Sequence, residues 1–335
     1  TAALIGQPAT LEAPQIDAMI AKHWGAVRET PEALQALIAK YRNVYRAGGS
    51  TPGDASRGRV IYTRLCAQCH SLFGNGGAIG PDLTGSNRGD LEYLLENMVA
   101  PNAVVPNEYQ MAAVETTDFR VLTGVLDESD AQSISVATTA GVVRLPRDEV
   151  AAITKQDISM MPEGLLTTLE DQELRDLIYY LRSPAQAPLL ATEETTPLFF
   201  NGQDLDYWSG DPTLWSVEDG AIVGRTEDGL RENDFLVSDF LVADFRLTFE
   251  ARLTPNTENS GVQFRSVVEP SGTIKGYQAD IGAGWWGKLY HEHGRALLWD
   301  RPGDQHVRAG DWNRYEILAI GSKIQTAING ALCVD

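Results

Sequence analysis

Hydrophobic positions change their period twice along this 335-residue chain. Between residues 14 and 48 they recur at helical spacing, first as Ile16, Met19, Ile20 and Trp24, then as Leu34, Leu37, Ile38, Tyr41, Val44 and Tyr45. Thr30-Pro31 offers an N-cap with proline at the first helical position, and Gly48-Gly49 stops the second run, so two helices are predicted. His23 lies beside the first stripe and reads as a core or surface histidine. Another helix opens at Asp54, a natural N-cap, and carries Ile61, Tyr62 and Leu65. Gly58, one turn before Tyr62, leaves room for a second helix to approach. Leu91, Leu94, Leu95 and Met98 form a further helical stripe. A last helix runs from about Glu170 through Leu174, Leu177, Ile178 and Leu181, and Pro184 ends it.

Between these helices the period drops to two. Residues 109–155 alternate in short runs, Gln110–Thr116, Phe119–Leu126, Ser133–Thr138, Val142–Leu145 and Val150–Thr154, with polar turns between them. A small β meander or barrel inserted in a helical domain is expected. Residues 185–196, with prolines, small residues and paired glutamates, read as a linker. From Pro197 helical period disappears and turns recur about every ten residues, the pattern of an all-β sandwich. The segments therefore read as 1–50 helical, 51–184 a helical domain with its β insertion, and 197–335 all-β.

Three strands of the last segment sort cleanly into faces. Phe245, Leu247, Phe249, Ala251 and Leu253 point inward from one, Val262 and Phe264 from the next, and Tyr277, Ala279 and Ile281 share one side of the third. If these strands are neighbours, Glu250, Gln263, Arg265, Gln278 and Asp280 lie on one surface, rimmed by Trp285, Trp286, Tyr290 and Trp299. A solvated sheet face also carries such charges. Planar polar groups with aromatic faces nevertheless suit sugar hydroxyls and pyranose rings, so a carbohydrate site is expected here.

Charge narrows the partners. The net charge of −19 is spread along the chain, and an acidic surface of this kind repels nucleic acid and anionic lipid. No apolar run is long enough to span a bilayer. No signal-peptide pattern opens the sequence, so the chain is expected to begin after any targeting segment or to be a fragment.

The 3 cysteines carry the most specific signal. Cys66-Ala67-Gln68-Cys69-His70 has the spacing of covalent c-type haem attachment: each thiol adds to a porphyrin vinyl group, and the adjacent imidazole ligates iron. Cys-x-x-Cys alone also serves zinc or redox chemistry, but no second Cys or His pair follows. Cys333 alone lies outside the motif, so no disulfide framework exists. Such attachment places the chain outside the cytoplasm, in the periplasm or at the cell surface. The glycine-rich loop Phe73–Leu83 lacks the strand, spacing and Lys of a phosphate cradle. Beside a haem it offers closely approaching backbone, and the Pro81 carbonyl is the candidate acceptor for the second ring nitrogen of His70. For the sixth ligand Met160 and Met161 precede Pro162; Met161 adjoins the proline and is preferred, with Met98 and Met111 weaker.

Two resemblances follow from these motifs. Gly58–Tyr62, Cys66–His70, Gly80–Gly85, the inserted β segment and Met161-Pro162 through Leu181 together resemble a planctomycete-type haem-binding domain, which implies a class I-like cytochrome c fold. In that family the domain commonly ends a long extracytoplasmic protein with a dehydrogenase-like propeller, and a sugar dehydrogenase or other redox partner is implied. Phe200–Leu205, Trp215–Gly224, Asn259–Arg265, Gly276–Asp280 and Asp311-Trp312-Asn313 resemble the 3-keto-disaccharide hydrolases, a family with a concanavalin-like jelly-roll fold. That family usually continues with further closing strands, so a truncated sandwich is expected. Its chemistry implies a glycoside already oxidised at carbon 3, whose carbon 2 proton is removed so that the glycosidic oxygen leaves and water adds. Asp280 or Glu250 is then the candidate base, Arg265 with Gln263 the oxyanion partners, and Glu292, Tyr290 or His291 the acid. A divalent metal at Asp280, Glu292 and a histidine is left open. The rival readings are a non-catalytic carbohydrate-binding module and an electron-transfer protein with a structural β appendage.

Overall fold

The computed structural model describes Met19 and residues 25–50, 52–128, 130–227, 229–230, 232–269 and 273–335. Two compact units divide it, Thr1–Phe240 and Leu241–Asp335. Ile16, Ile20, His23 and Trp24, from the first expected helix, lie outside the described residues.

The stretch between the two expected N-terminal helices is a strand. Gly25–Val27 (β1) pairs antiparallel with Val104–Pro106 (β2). Gly25 takes φ 114°, and a Cβ there would fall 2.1 Å from the Val105 carbonyl oxygen, so only glycine permits this approach. Helix α1, Glu32–Arg46, follows. Pro31 precedes it rather than starting it, and its carbonyl accepts from the Leu34 and Gln35 N–H groups at 2.9 and 3.0 Å. Helix α2, Ala55–Leu65, is capped as expected: the Asp54 carboxylate accepts from the Arg57 N–H at 3.0 Å. Helix α3 is Leu91–Val99 and helix α4 is Asp171–Leu181. Their apolar stripes meet in one core that includes Ile38, Tyr41, Tyr62, Leu95, Met98, Leu174 and Leu177. Met98 is thereby a core residue.

The α2–α4 crossing depends on Gly58. A Cβ there would lie 2.0 Å from the Asp176 carbonyl oxygen and 2.6 Å from the Tyr180 Cβ. The Asp176 carboxylate, 2% exposed, accepts from the Asp54 N–H at 2.8 Å, Arg57 Nε at 2.9 Å and Gln172 Nε2 at 2.8 Å. A buried carboxylate satisfied by this many donors is a joint rather than a liability.

The insertion is a five-stranded antiparallel sheet: β3 Gln110–Thr116, β4 Val121–Asp127, β5 Ser133–Thr138, β6 Gly141–Pro146 and β7 Val150–Ser159. Its order is β6-β5-β4-β3-β7, so it is an open meander, with Val114, Ile134, Val136 and Leu145 in its core. Strand β4 starts later than the pattern suggests because Phe119 turns the corner at φ 66°. Strand β7 runs longer, its polar residues forming a charged edge that discourages further pairing.

Residues 185–196 are not a free linker. Ala187 and Leu189 are buried, and the Arg59 guanidinium, 2% exposed, donates to the Ala187 carbonyl at 2.6 Å. The same side chain reaches Asn75 Oδ1 and the Asp239 carboxylate, each at 3.0 Å, and lies over the Tyr207 ring. Residues up to 240 therefore pack with the helical domain. Within them Trp215–Glu218 (β8) and Ala221–Gly224 (β9) form a hairpin whose turn, Asp219-Gly220, has both φ angles positive.

The second unit is a two-sheet sandwich. One sheet is β10 Phe245–Ala251, β15 Asn313–Ile320, β16 Lys323–Ile328 and β17 Ala331–Val334, in that order. The other is β11 Asn259–Val268, β12 Ile274–Gly282, β13 Leu289–Glu292 and β14 Ala296–Trp299. Phe264, Ala279, Ile281, Trp286, Tyr315 and Ile317 fill the space between them. No described helix is long and apolar enough to cross a membrane.

Candidate functional site

Cys66 caps the C-terminus of α2, its N–H donating to the Tyr62 carbonyl at 2.8 Å. The Cys66 carbonyl accepts in turn from the Cys69 and His70 N–H groups at 3.0 and 2.9 Å, so the motif is one continuous turn on the helix end. Tyr62 OH closes it by donating to the His70 carbonyl at 2.7 Å. Burial pushes the Cys66 thiol up to about 12 and raises Cys69 as well, which disfavours the thiolate in the protein without its haem. Burial also lowers the His70 pKa against the opposing effect of its Pro81 hydrogen bond.

The residues fit a haem. His70 Nδ1 lies 2.9 Å from the Pro81 carbonyl oxygen, which leaves Nε2 as the ligating nitrogen. The glycine loop lies tight on the motif: a Cβ at Gly80 would fall 2.5 Å from the His70 ring, and one at Gly76 2.1 Å from the His70 carbonyl oxygen. Met161 packs against the same core as Cys66, Ala67 and Phe73. Its N–H donates to Ser159 Oγ at 3.0 Å, which fixes the backbone at the end of β7. Met111 sits instead in β3 of the insertion.

In the sandwich the register separates residues that the sequence pattern groups together. Gln263 pairs with Gln278, which pairs with Tyr290. Gly261 pairs with Asp280, whose N–H donates to the Lys288 carbonyl at 3.2 Å. Gly276 pairs with Glu292. One sheet face thus gathers Gln263, Gln278, Asp280, Lys288, Tyr290 and Glu292. A directed chain of donors orients it: Ser266 Oγ to Gln263 at 3.3 Å, Gln263 to Gln278 at 3.3 Å, and Gln278 to Asp280 Oδ1 at 2.7 Å. Asp280 is 2% exposed, and its Oδ2 has no protein partner. Burial lifts this carboxyl to about 6, with Glu292 adding to the rise and Gln278 and Lys288 opposing it.

Four expectations are corrected. Glu250 is on β10, opposite Arg314 in the other sheet, and is exposed, so it is no part of this face. Arg265 sits at a β-bulge with φ 49°, which re-aims its side chain. Its guanidinium donates to the Gly321 carbonyl at 2.5 Å and the Asp244 carboxylate at 3.2 Å, joining strand ends of the sandwich. His291 points to the opposite face, stacked 4.8 Å from Tyr277 and accepting from Arg295. Trp286 is core, 1% exposed, and Trp299 packs against that core, so the aromatic rim reduces to Trp285 and Tyr290, with ring centroids 6.5 Å apart. Among the described residues no group of three or more His, Cys, Asp or Glu could hold a metal, so the cation left open at Asp280 and Glu292 has no support. The face pattern of the three sorted strands does not include Lys288. Its place two residues before Tyr290 and four before Glu292 was the available signal.

Comparison with known families finds two matches. Residues 55–135 match the cytochrome c family, and residues 194–335 match the family described as a 3-keto-alpha-glucoside-1,2-lyase-like domain. No curated protein matches the chain. The chain is therefore a fusion of a cytochrome c-like domain, which implies haem c with its iron, a redox partner and electron transfer, with a 3-keto-alpha-glucoside-1,2-lyase-like domain, which implies a sugar substrate.

Proposed function

We propose that the sandwich cleaves 3-keto-glycosides by elimination, with Asp280 as the base. The observation that carries this is the Asp280 carboxyl: buried, held through Oδ1 by Gln278, with Oδ2 unpartnered and a pKa of about 6. A carboxyl of this pKa is mostly ionised at neutral pH yet more basic than an ordinary aspartate, and can take a proton made acidic by an adjacent ketone. Oδ2 accepts the carbon 2 proton, and the C–H electron pair moves to form an enolate at the carbon 3 oxygen. Collapse of the enolate breaks the bond between carbon 1 and the glycosidic oxygen and leaves a double bond between carbons 1 and 2, to which water adds. Tyr290 and Glu292, on the same face, are the donors available to the leaving oxygen.

Cys66 and Cys69 would hold the haem and His70 and Met161 would ligate its iron; once bound, the group would supply one-electron transfer. The redox partner we favour is a sugar dehydrogenase, because oxidising a carbon 3 hydroxyl produces both the ketone this domain requires and electrons for a one-electron carrier. Thioether attachment puts the chain outside the cytoplasm, which fractionation checks. The elimination reading is tested by incubating the full chain with 4-nitrophenyl 3-keto-α-glucoside. Nitrophenol release above the spontaneous rate, lost in Asp280→Asn, is expected; saturable binding without release makes the domain a binding module.

A further inference from the structure

Arg265 leaves the proposed site without the cation expected of it, since its guanidinium is committed to Gly321 and Asp244. An elimination through an enolate still develops negative charge on the carbon 3 oxygen, and the carbon 2 proton is delivered to a carboxylate beside it. The face needs a positive charge that is close to Asp280 and not consumed by a structural bond.

Lys288 is close to Asp280, and its ammonium is tied only to an exposed carboxylate rather than to the backbone of another strand end. It is the cross-strand neighbour of Asp280, their backbones joined by the Asp280 N–H to Lys288 carbonyl bond at 3.2 Å and flanked by the Gln278–Tyr290 pair. Directly opposed residues of an antiparallel pair project to the same face, so the Lys288 ammonium and the Asp280 carboxyl share it. The side chain is 15% exposed, with Nζ 4.9 Å from the centroid of the Trp285 ring, itself 38% exposed. Its ion-pair partner is Asp300, at 2.7 Å but 71% exposed. Water screens the Asp300 side of this pair, so the lysine exchanges it for a charge developing on the buried side. The titratable groups facing this cluster are Asp280, Glu292, Tyr290 and Asp300, with His293 beside Glu292 at 3.6 Å.

We infer that Lys288 is the oxyanion-stabilising catalytic residue of the sandwich domain, its ammonium neutralising the carbon 3 enolate while Trp285 and Tyr290 flank the sugar ring. The inference rests on the elimination reading. In the step, Asp280 Oδ2 gains the carbon 2 proton, the carbonyl π pair becomes the oxygen lone pair beside the Lys288 ammonium, and no proton leaves the lysine. Departure of the glycosidic oxygen returns that pair to the carbonyl and frees the lysine for Asp300.

The experiment uses the full chain with 4-nitrophenyl 3-keto-α-glucoside, comparing wild type, Lys288→Met, Lys288→Arg and Asp280→Asn. Lys288→Met keeps an unbranched side chain one atom shorter but removes the charge. Loss of a single oxyanion partner predicts a fall in kcat of roughly 10²-fold with KM little changed, and Lys288→Arg recovers part of it. Recovery by arginine separates lost charge from lost folding, and the thermal midpoint of Lys288→Met gives the same control. Wild-type kcat in Lys288→Met, or a defect confined to KM, overturns the assignment while the Asp280→Asn loss keeps the elimination reading. A wild-type chain that releases no nitrophenol above background ends both.

Discussion

Asp280→Asn should make the sandwich more stable at alkaline pH while abolishing elimination. Burial lifts the Asp280 carboxyl from its ordinary 3.8 to about 6. At about 1.4 kcal/mol per pH unit, that gap corresponds to about 3 kcal/mol. The folded carboxyl holds its proton more tightly than the unfolded one, so its contribution is complete below the unfolded value of 3.8 and is lost as pH rises through 6. Asparagine carries no charge and forfeits nothing over that range. Its Oδ1 accepts the Gln278 bond as before, and its amide group replaces the unpartnered Oδ2 at a cost of roughly 1–3 kcal/mol that does not vary with pH. The quantity to measure is therefore the stability difference, variant minus wild type, as a function of pH. It should grow by about 3 kcal/mol between pH 3.5 and pH 8, with its midpoint between the two pKa values. Urea unfolding of the full chain reads it, with the Soret band marking the haem domain and tryptophan emission following the remainder. A difference that stays flat to within about 1 kcal/mol would refute both the burial of this carboxyl and its fitness as a base.

Gly58→Ala places a methyl group 2.0 Å from the Asp176 backbone oxygen and should lower haem-domain stability by about 2–3 kcal/mol, read from the thermal midpoint of the Soret band. Met161→Leu should abolish the weak red absorption of an iron–thioether bond and lower the reduction potential, whereas Met160→Leu should leave both in place. Arg265→Ala should destabilise the sandwich by about 1–3 kcal/mol through the lost bonds to Gly321 and Asp244, and leave KM for the ketoglucoside unchanged in whatever folded fraction remains.

The sequence was most informative where local chemistry decides structure. Asp54 as a cap, Gly58 as a contact point, Pro81 behind His70 and the strand bounds Gln110–Thr116 and Ser133–Thr138 all follow from short-range rules. It misled where pairing is long-range. Alternation correctly turns Phe245, Leu247 and Phe249 toward the core, but it is silent on which sheet holds their strand, and Glu250 was grouped with residues of the other sheet. Period two also assumes an unbroken strand, so the bulge that re-aims Arg265 had no signature. Residues 185–196 have the composition of a linker because the partner that orders them, Arg59, lies far away in sequence.

Kinship and packing divide this chain at different places. The lyase-like match begins at residue 194, yet the compact haem-containing unit runs to Phe240. Asp239, well inside the lyase-like stretch, is the counter-ion of the buried Arg59 on the helix that leads into the haem motif. Cutting at the family boundary would strand a dehydrated guanidinium and bare Leu189, so the cytochrome is expected to aggregate when expressed to residue 193 and to stay soluble when expressed to residue 240. Forty-odd residues inherited with one domain have become part of the other's fabric, and neither ancestral module can be lifted out whole.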